Sequence, residues 1–159
     1  MFDPTAFDNM KTVVEGAFYD LDLDGTIHIA GRRDLIDLAS YTRTYEIKAS
    51  AGNDSVVTAT FRLESTVDQL AAELLNHPCG TPGAAASIIF KWPGTSEMAS
   101  RIKELWGPSH HYEKVELFSD KDGKSNRLVI RFNRTVTEEM MDDLTEMAKF
   151  TAETVLDLS

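Results

Sequence analysis

The chain is organised around its last third, Leu128 to Leu158, which reads LVIRFNRTVTEEMMDDLTEMAKFTAETVLDL. Its first five residues place apolar side chains at every second position, which is typical of a strand with one buried face. The apolar period then changes to that of a helix, and Thr135 with Glu138 predicts a capping box at the helix start. The stretch therefore predicts a strand that runs into a long C-terminal helix.

The predicted final helix carries an apolar stripe. At 100° per residue its apolar positions fill an arc of roughly 140°, namely Met140, Met141, Leu144, Met147, Ala148, Thr151, Ala152, Val155 and Leu158. Phe150 lies outside this arc, roughly 100° from its nearer edge. An aromatic residue on a polar helix face predicts either a solvent-facing ring or the anchor of a subunit interface, which Leu156 would extend.

The start of the last third resembles an earlier stretch. Phe61 to Val67 reads FRLESTV and Ile130 to Val136 reads IRFNRTV, so that Arg62 corresponds to Arg131, 69 residues later. Both stretches predict a strand-to-helix junction. The similarity predicts an internal duplication of a strand-helix-hairpin-helix unit, with repeat halves at residues 26–76 and 86–158.

The whole chain predicts an α+β fold. The first half predicts a helix from Pro4 to Gly16, a hairpin at 17–29 around Asp24 and Gly25, a short helix at 33–41, and strands at 44–50 and 56–63. A helix at 66–76, begun by Ser65 with Asp68, and a loop at 77–83 follow. The second half predicts a central strand at 87–92, a helix at 97–106, and a hairpin of strands 112–118 and 128–132. Because hairpins dominate the connections, we expect a largely antiparallel sheet with helices mainly on one face. We expect a single domain over residues 1–159.

Composition narrows the class of protein. A hydrophobic content of 42% with 26% charged residues is ordinary for a globular domain. The single cysteine, Cys79, cannot form an intramolecular disulfide, and the first residues lack the features of a secretory signal. No apolar run approaches the roughly 18 residues of a membrane helix. We therefore expect a soluble, cytoplasmic protein without a membrane partner.

The net charge of −10 is concentrated at the two ends. Residues 1–24 hold six acids against Lys11, and residues 137–157 hold seven acids against Lys149. A nucleic-acid backbone must be met by clustered Lys and Arg, so nucleic-acid binding is disfavoured. The acidic ends favour solubility and, if they bind a protein, a basic partner.

The most specific motif is the run of acids Asp20, Asp22 and Asp24 before Gly25 and Thr26. The letters DLDGT at 22–26 resemble the nucleophile loop of haloacid-dehalogenase-type phosphatases. That resemblance implies a nucleophile at Asp22, an acid/base at Asp24, and a magnesium ion near both. The same acids resemble the start of an EF-hand loop, although the twelfth position is Gly31 where calcium binding needs a Glu. A metal site at these three acids is therefore one hypothesis, and exposed acids on a hairpin with an Asp-Gly turn are the other.

No other constellation supplies a nucleophile, a base and an anion site together, so we assign no catalytic residue and no cofactor. The leading hypothesis is a non-enzymatic protein-interaction module that acts as a homodimer. The alternatives are a metal-dependent phosphoryl hydrolase that uses Asp22 and Asp24, and a small-molecule sensor that binds in a cleft between the repeat halves.

Overall fold

The computed structural model describes residues 6–74 and 83–159. In chain order the elements are α1 (Ala6–Leu23), β1 (His28–Asp37), β2 (Thr42–Ser50), β3 (Thr58–Ser65), α2 (Val67–Leu74), β4 (Ala84–Pro93), α3 (Met98–Trp106), β5 (His111–Ser119), β6 (Gly123–Val136), a 3-10 turn (Glu138–Met140) and α4 (Met141–Leu158). The strands form one antiparallel sheet in the order β1-β2-β3-β4-β6-β5. The prediction of an α+β fold with an antiparallel sheet is confirmed.

One face of the sheet is buried. Large side chains at alternate positions of four neighbouring strands are shielded from solvent: Tyr45, Ile47, Phe61, Leu63, Ile88, Phe90, Leu128 and Ile130. α1 and α4 pack against each other, and both contact strands of the sheet. Phe18 of α1 meets Phe61 of β3 edge-on, with ring centroids 6.0 Å apart. Because successive side chains of a strand point to opposite sides, the residues between these positions lie on the other face.

The predicted hairpin at 17–29 is wrong, because α1 continues through this stretch to Leu23. Gly25 ends the helix with a φ of +81°, a conformation that glycine adopts without steric cost. The amide of Thr26 donates to the carbonyl of Leu21 at 2.9 Å, and the amide of Gly25 donates to that of Asp22 at 3.1 Å. These two bonds make a Schellman motif. The Asp-Gly dipeptide is therefore a helix terminus and not a hairpin turn.

Gly16 does not end α1 as predicted, because the apolar stripe of the helix extends past it. Met10, Val14 and Phe18 recur every four residues and are fully buried. Their burial exceeds the cost of about 1 kcal/mol for a glycine in a helix interior. Gly16 itself is exposed on the opposite side of the helix.

The predicted short helix at 33–41 is also wrong. Residues 28–37 form β1, which pairs antiparallel with β2 so that Leu35 lies opposite Thr44. A turn follows in which the amide of Tyr41 donates to the carbonyl of Asp37 at 2.7 Å. The apolar residues that suggested an amphipathic helix are largely exposed here, Leu38 most of all. The backbone hydrogen bonds of a sheet edge therefore outweigh the helical spacing of these side chains.

Several other boundaries differ from prediction. β6 continues to Val136, so Thr135 lies in a strand and cannot cap α4. α2 has a capping box one residue later than predicted, between Thr66 and Gln69. The predicted loop at 77–83 lies outside the described residues except for Gly83. The predicted halves contain different orders of elements, so the internal duplication is not confirmed.

A buried tyrosine links the sheet to α1. The hydroxyl of Tyr45 donates to Oε2 of Glu15 at 2.7 Å, and the other oxygen of Glu15 accepts from Arg32 at 3.0 Å. Burial, and then the hydrogen bond to the Glu15 carboxylate, raises the pKa of Tyr45 above its ordinary value. The folded protein therefore holds this phenolic proton more tightly than the unfolded chain does.

The two glycines of α1 should respond oppositely to alanine. Gly16→Ala should raise the free energy of unfolding by about 0.5–1 kcal/mol, since a side chain there meets no atom within 4 Å. Gly25→Ala should lower the free energy of unfolding by about 1 kcal/mol, because alanine disfavours a positive φ. Urea denaturation measures both. Destabilisation by Gly16→Ala would contradict a helix that is continuous through residue 16.

The tyrosine link predicts a loss of stability at alkaline pH. The contribution of Tyr45 is complete below the unfolded pKa of about 10 and is lost as the pH rises above that value. Tyr45→Phe should cost about 1 kcal/mol at neutral pH, and this deficit relative to wild type should shrink between about pH 10 and pH 11. Denaturation curves of both proteins across this range test the effect. A constant difference would show that Tyr45 has no raised pKa.

Candidate functional site

The sheet face opposite the buried residues is the candidate site, and we call it the exposed sheet face. It consists of the outward residues of the inner strands β2, β3, β4 and β6, of which most are exposed or half-buried. These residues are Glu46, Lys48, Thr58, Thr60, Arg62, Glu64, Ser87, Ile89, Lys91, Arg127, Val129 and Arg131. Their positions follow directly from the strand alternation and the sheet register.

The sign of the charge on this face is opposite to that of the protein as a whole. Five of its residues are cationic and two, Glu46 and Glu64, are acidic. By contrast, α1 carries four acids against Lys11, and α4 carries five acids against Lys149. The fold therefore separates positive from negative charge, and the net charge of −10 conceals a cationic surface.

At one end of the exposed sheet face the cations are paired. Arg62 lies 2.8 Å from the carboxylate of Glu64 and 3.7 Å from that of Glu46. Arg33 of β1 also approaches Glu46, at 3.9 Å. These partly exposed pairs neutralise one another, and each contributes little to stability.

At the other end lie three cations without such partners, Lys48, Lys91 and Arg127, which we call the cationic triad. Lys91 stands directly opposite Arg127 on β6 and opposite Thr58 on β3. Among the described residues no carboxylate lies within 4.0 Å of these three side chains. The Nε of Arg127 is buried and has no hydrogen-bond partner in the described part of the chain. The triad thus offers donors and positive charge to an anion.

A depression runs across both ends of the exposed sheet face. Its volume is about 480 Å³, and its lining includes the triad together with Thr60 and Ile89. A neighbouring depression of about 300 Å³ adds Val56 and Pro93 beside Lys48 and Lys91. Hydroxyl, apolar and cationic groups therefore alternate over a surface that is several strands wide.

The acids of the DLDLDG motif occupy the end of α1 and the residues after it. Asp22 lies about 200° around the helix from Asp20, so their carboxylates diverge. Asp24 follows the helix, and its Oδ1 accepts hydrogen bonds from the amide and hydroxyl of Thr26. Both bonds lower the pKa of Asp24, and the bond from the hydroxyl has the larger effect.

The described residues contain no group of three His, Cys, Asp or Glu side chains arranged to hold a metal ion. Metal binding at Asp20, Asp22 and Asp24 stays a prediction, which this arrangement does not support.

Phe150 has a partner within the chain. Its ring packs on Trp106 of α3 with centroids 4.5 Å apart, and it is half-buried. Trp106 in turn donates its indole N–H to the hydroxyl of Thr154 at 3.1 Å and contacts Phe132. Phe150 therefore joins α4 to α3, which supplies a reason for an aromatic residue outside the main apolar arc. Leu156 is exposed on the last turn of α4, and its role in an interface stays a prediction.

Sequence reasoning missed the cationic triad, because its members come from three strands. Lys48, Lys91 and Arg127 are isolated in the chain, and each is an ordinary polar residue of an alternating strand. Only the successive pairings of β2 with β3, β3 with β4, and β4 with β6 bring them together. The pairing of β3 with β4 also joins the two predicted halves in a continuous sheet, where the sensor hypothesis required a cleft.

The chain matches no protein-family model, no curated protein and no solved structure. No helix in the described residues is long and apolar enough to cross a membrane. Function must therefore be argued from the geometry of the exposed sheet face.

The contact between Phe150 and Trp106 predicts a structural role for Phe150. Phe150→Ala should lower the free energy of unfolding by about 2 kcal/mol, through lost burial and lost ring contact. The neighbouring exposed variant Lys149→Ala should stay within about 0.5 kcal/mol of wild type. Sedimentation velocity should give the same oligomeric state for all three proteins. A change of oligomeric state without loss of stability would instead place Phe150 in a subunit interface.

Proposed function

We propose that this protein is a non-enzymatic interaction module that binds an acidic protein segment on its exposed sheet face. The observation that carries the proposal is the cationic triad, which lies beside hydroxyl and apolar groups and has no carboxylate within 4.0 Å in the described part of the chain. A partner carboxylate there would gain charge-assisted hydrogen bonds without breaking an existing ion pair. The apolar neighbours Ile89 and Val56 would contact side chains that flank the partner's acids.

The shape of the surface favours a protein segment over a small molecule. Small-molecule sites usually enclose most of their ligand, whereas the triad spans four neighbouring strands of an exposed sheet, from β2 to β6. Neighbouring strands are about 4.8 Å apart, so an extended segment that crosses them would reach all three cations. A nucleic-acid backbone must be met by many clustered cations, whereas the triad supplies three.

The position of α1 and α4 relative to the sheet is part of the proposal. α1 and α4 contact each other and the strands, and we place the helices mainly on the buried face. The exposed sheet face would then stay available to a partner. We propose an acidic partner, although the net charge of the chain favours a basic one. The charge of the binding surface itself decides which partner docks there.

The hydrolase alternative gains no support from the geometry. A phosphoryl hydrolase of the kind that DLDGT resembles needs Asp22 and Asp24 directed at one ion, but the Asp24 carboxylate is turned to Thr26. Asp22 lies in the helix, ahead of the Schellman turn.

Reversing one charge of the triad tests the proposal. Fluorescence anisotropy of a labelled oligoglutamate peptide should show binding to wild type that weakens with added salt. Lys91→Glu should raise the dissociation constant at least about tenfold, because it places a carboxylate among the remaining cations. Lys149→Glu makes the same charge change on α4 and should alter binding less than about twofold.

Two further probes separate other ligands. Oligothymidylate that binds the triad more tightly than oligoglutamate would replace the acidic segment by a single-stranded nucleic acid. Inorganic phosphate that binds wild type and is lost in Lys91→Glu, in the absence of peptide binding, would indicate a small-anion site. An equal effect of Lys91→Glu and Lys149→Glu would reduce the interaction to net charge and contradict a site on the exposed sheet face.

A further inference from the structure

Among the strands of the described residues, β5 lies at one edge of the sheet and pairs with β6 alone. It is nine residues long, His111–Ser119, and most of its side chains are exposed. Leu117 and Phe118 are 42% and 76% exposed, which is high for large apolar residues on a strand. An edge strand has backbone groups that another strand can pair with, and natural proteins usually protect such edges with charges.

The charges of β5 are complementary to themselves in one register. When two copies of β5 run antiparallel about Val115, each Lys114 lies opposite the Glu116 of the other copy. Each Tyr112 then faces a Phe118, and each Glu113 faces a Leu117. Because Val115 is the middle residue of the strand, all nine residues are paired. Opposite charges and aromatic pairs across strands are the pairings that stabilise a sheet.

The neighbouring registers are disfavoured by the same side chains. A shift of two residues one way sets Lys114 against Lys114, and the same shift the other way sets Glu116 against Glu116. A shift of one residue is excluded, because it would set side chains that point to one face opposite side chains that point to the other, whereas directly opposed residues of a ladder point to the same face. The charges of β5 therefore specify a register and do not merely repel other strands.

The other edge strand, β1, is less available for pairing. Arg32 is bound to Glu15 of α1, and Asp34 is bound to Lys11 of α1 and to Arg43 of β2. On β5 the corresponding charges are looser, since Glu116 lies 3.5 Å from both Lys114 and Lys124. Such exposed contacts cost little to rearrange.

We propose that two copies of this chain associate through β5, with Val115 facing Val115 across a two-fold axis perpendicular to the sheet. The product is a continuous twelve-stranded antiparallel sheet. A perpendicular axis keeps both exposed sheet faces on the same side, so that two cationic triads share one surface. This pairing is independent of what the exposed sheet face binds, and it assigns the homodimer interface to β5 instead of Phe150 and Leu156.

A pair of charge variants tests the interface. Lys114→Glu places a carboxylate opposite Glu116 at two symmetric positions, and Glu116→Lys places an ammonium opposite Lys114 at two. Each variant alone should dimerise at least about tenfold more weakly than wild type in sedimentation over a concentration series. An equimolar mixture of the two should regain the wild-type affinity, since every cross-strand pair is then opposite in sign. Restoration in the mixture also shows that both variants fold.

A cysteine crosslink tests the register. In a Cys79→Ser background, Val115→Cys should form an intermolecular disulfide under mild oxidation, because directly opposed side chains come within about 5 Å. Leu117→Cys is the matched control, since its two copies would lie about 13 Å apart along the strands. A monomeric wild type at every concentration, a mixture no tighter than its components, or equal crosslinking at both positions would each overturn the proposal.

Discussion

The structure depends on the contact of α1 and α4 with each other and with strands of the sheet. These helices lie near the two ends of the described chain and pack together on strands from its middle, as in the edge-on contact of Phe18 with Phe61. A sheet of six strands must cover at least one face to fold in water, and we propose that this helix pair covers it. The proposed cover would also divide the charge, because both helices carry an excess of acids and the cations of the inner strands would remain on the opposite face. The placement of α1 and α4 therefore accounts both for the fold and for the position of the candidate site.

Local signals in the sequence predicted most of the strands. The strand near 44–50 follows from strict alternation, and the strand near 112–118 from the turn residues that follow it, where Gly123 adopts a positive φ. Prediction failed where one local signal serves two structures. Asp-Gly is found in tight hairpin turns and at helix ends alike, and here the choice was made by Phe18, whose burial on the sheet required another turn of helix. At 33–41 the apolar spacing fitted a helix, but the free edge of β2 supplied a strand partner that no local pattern shows.

The candidate site could not be predicted from the sequence, for a related reason. A cluster formed by a sheet register has no fixed spacing in the chain, so Lys48, Lys91 and Arg127 produce no motif. The DLDLDG run does produce a motif, but helical geometry directs its acids apart. The net charge likewise does not predict the sign of the charge on the exposed sheet face, because it is a sum over surfaces that face opposite directions. What sequence did give correctly was the alternation of each strand, from which the polar face can be listed once the strand order is known.

Charge also constrains where a second copy can dock. An interface on α4 would bring two acidic helices together, and their repulsion would have to be offset by basic residues brought into the same contact. Association through β5 reduces this repulsion, because α4 contacts mainly β2 and β3, and β3 is three strands away from β5. Of the acids of α4, Asp143 lies nearer the edge, where it pairs with Arg134 of β6 at 3.9 Å. At about 4.8 Å per strand the two copies of β3 would be about 34 Å apart, several Debye lengths at physiological salt. The acids over β3 would therefore scarcely interact, whereas Lys91 and Arg127 of both copies, closer to the axis, would face one partner as a single surface.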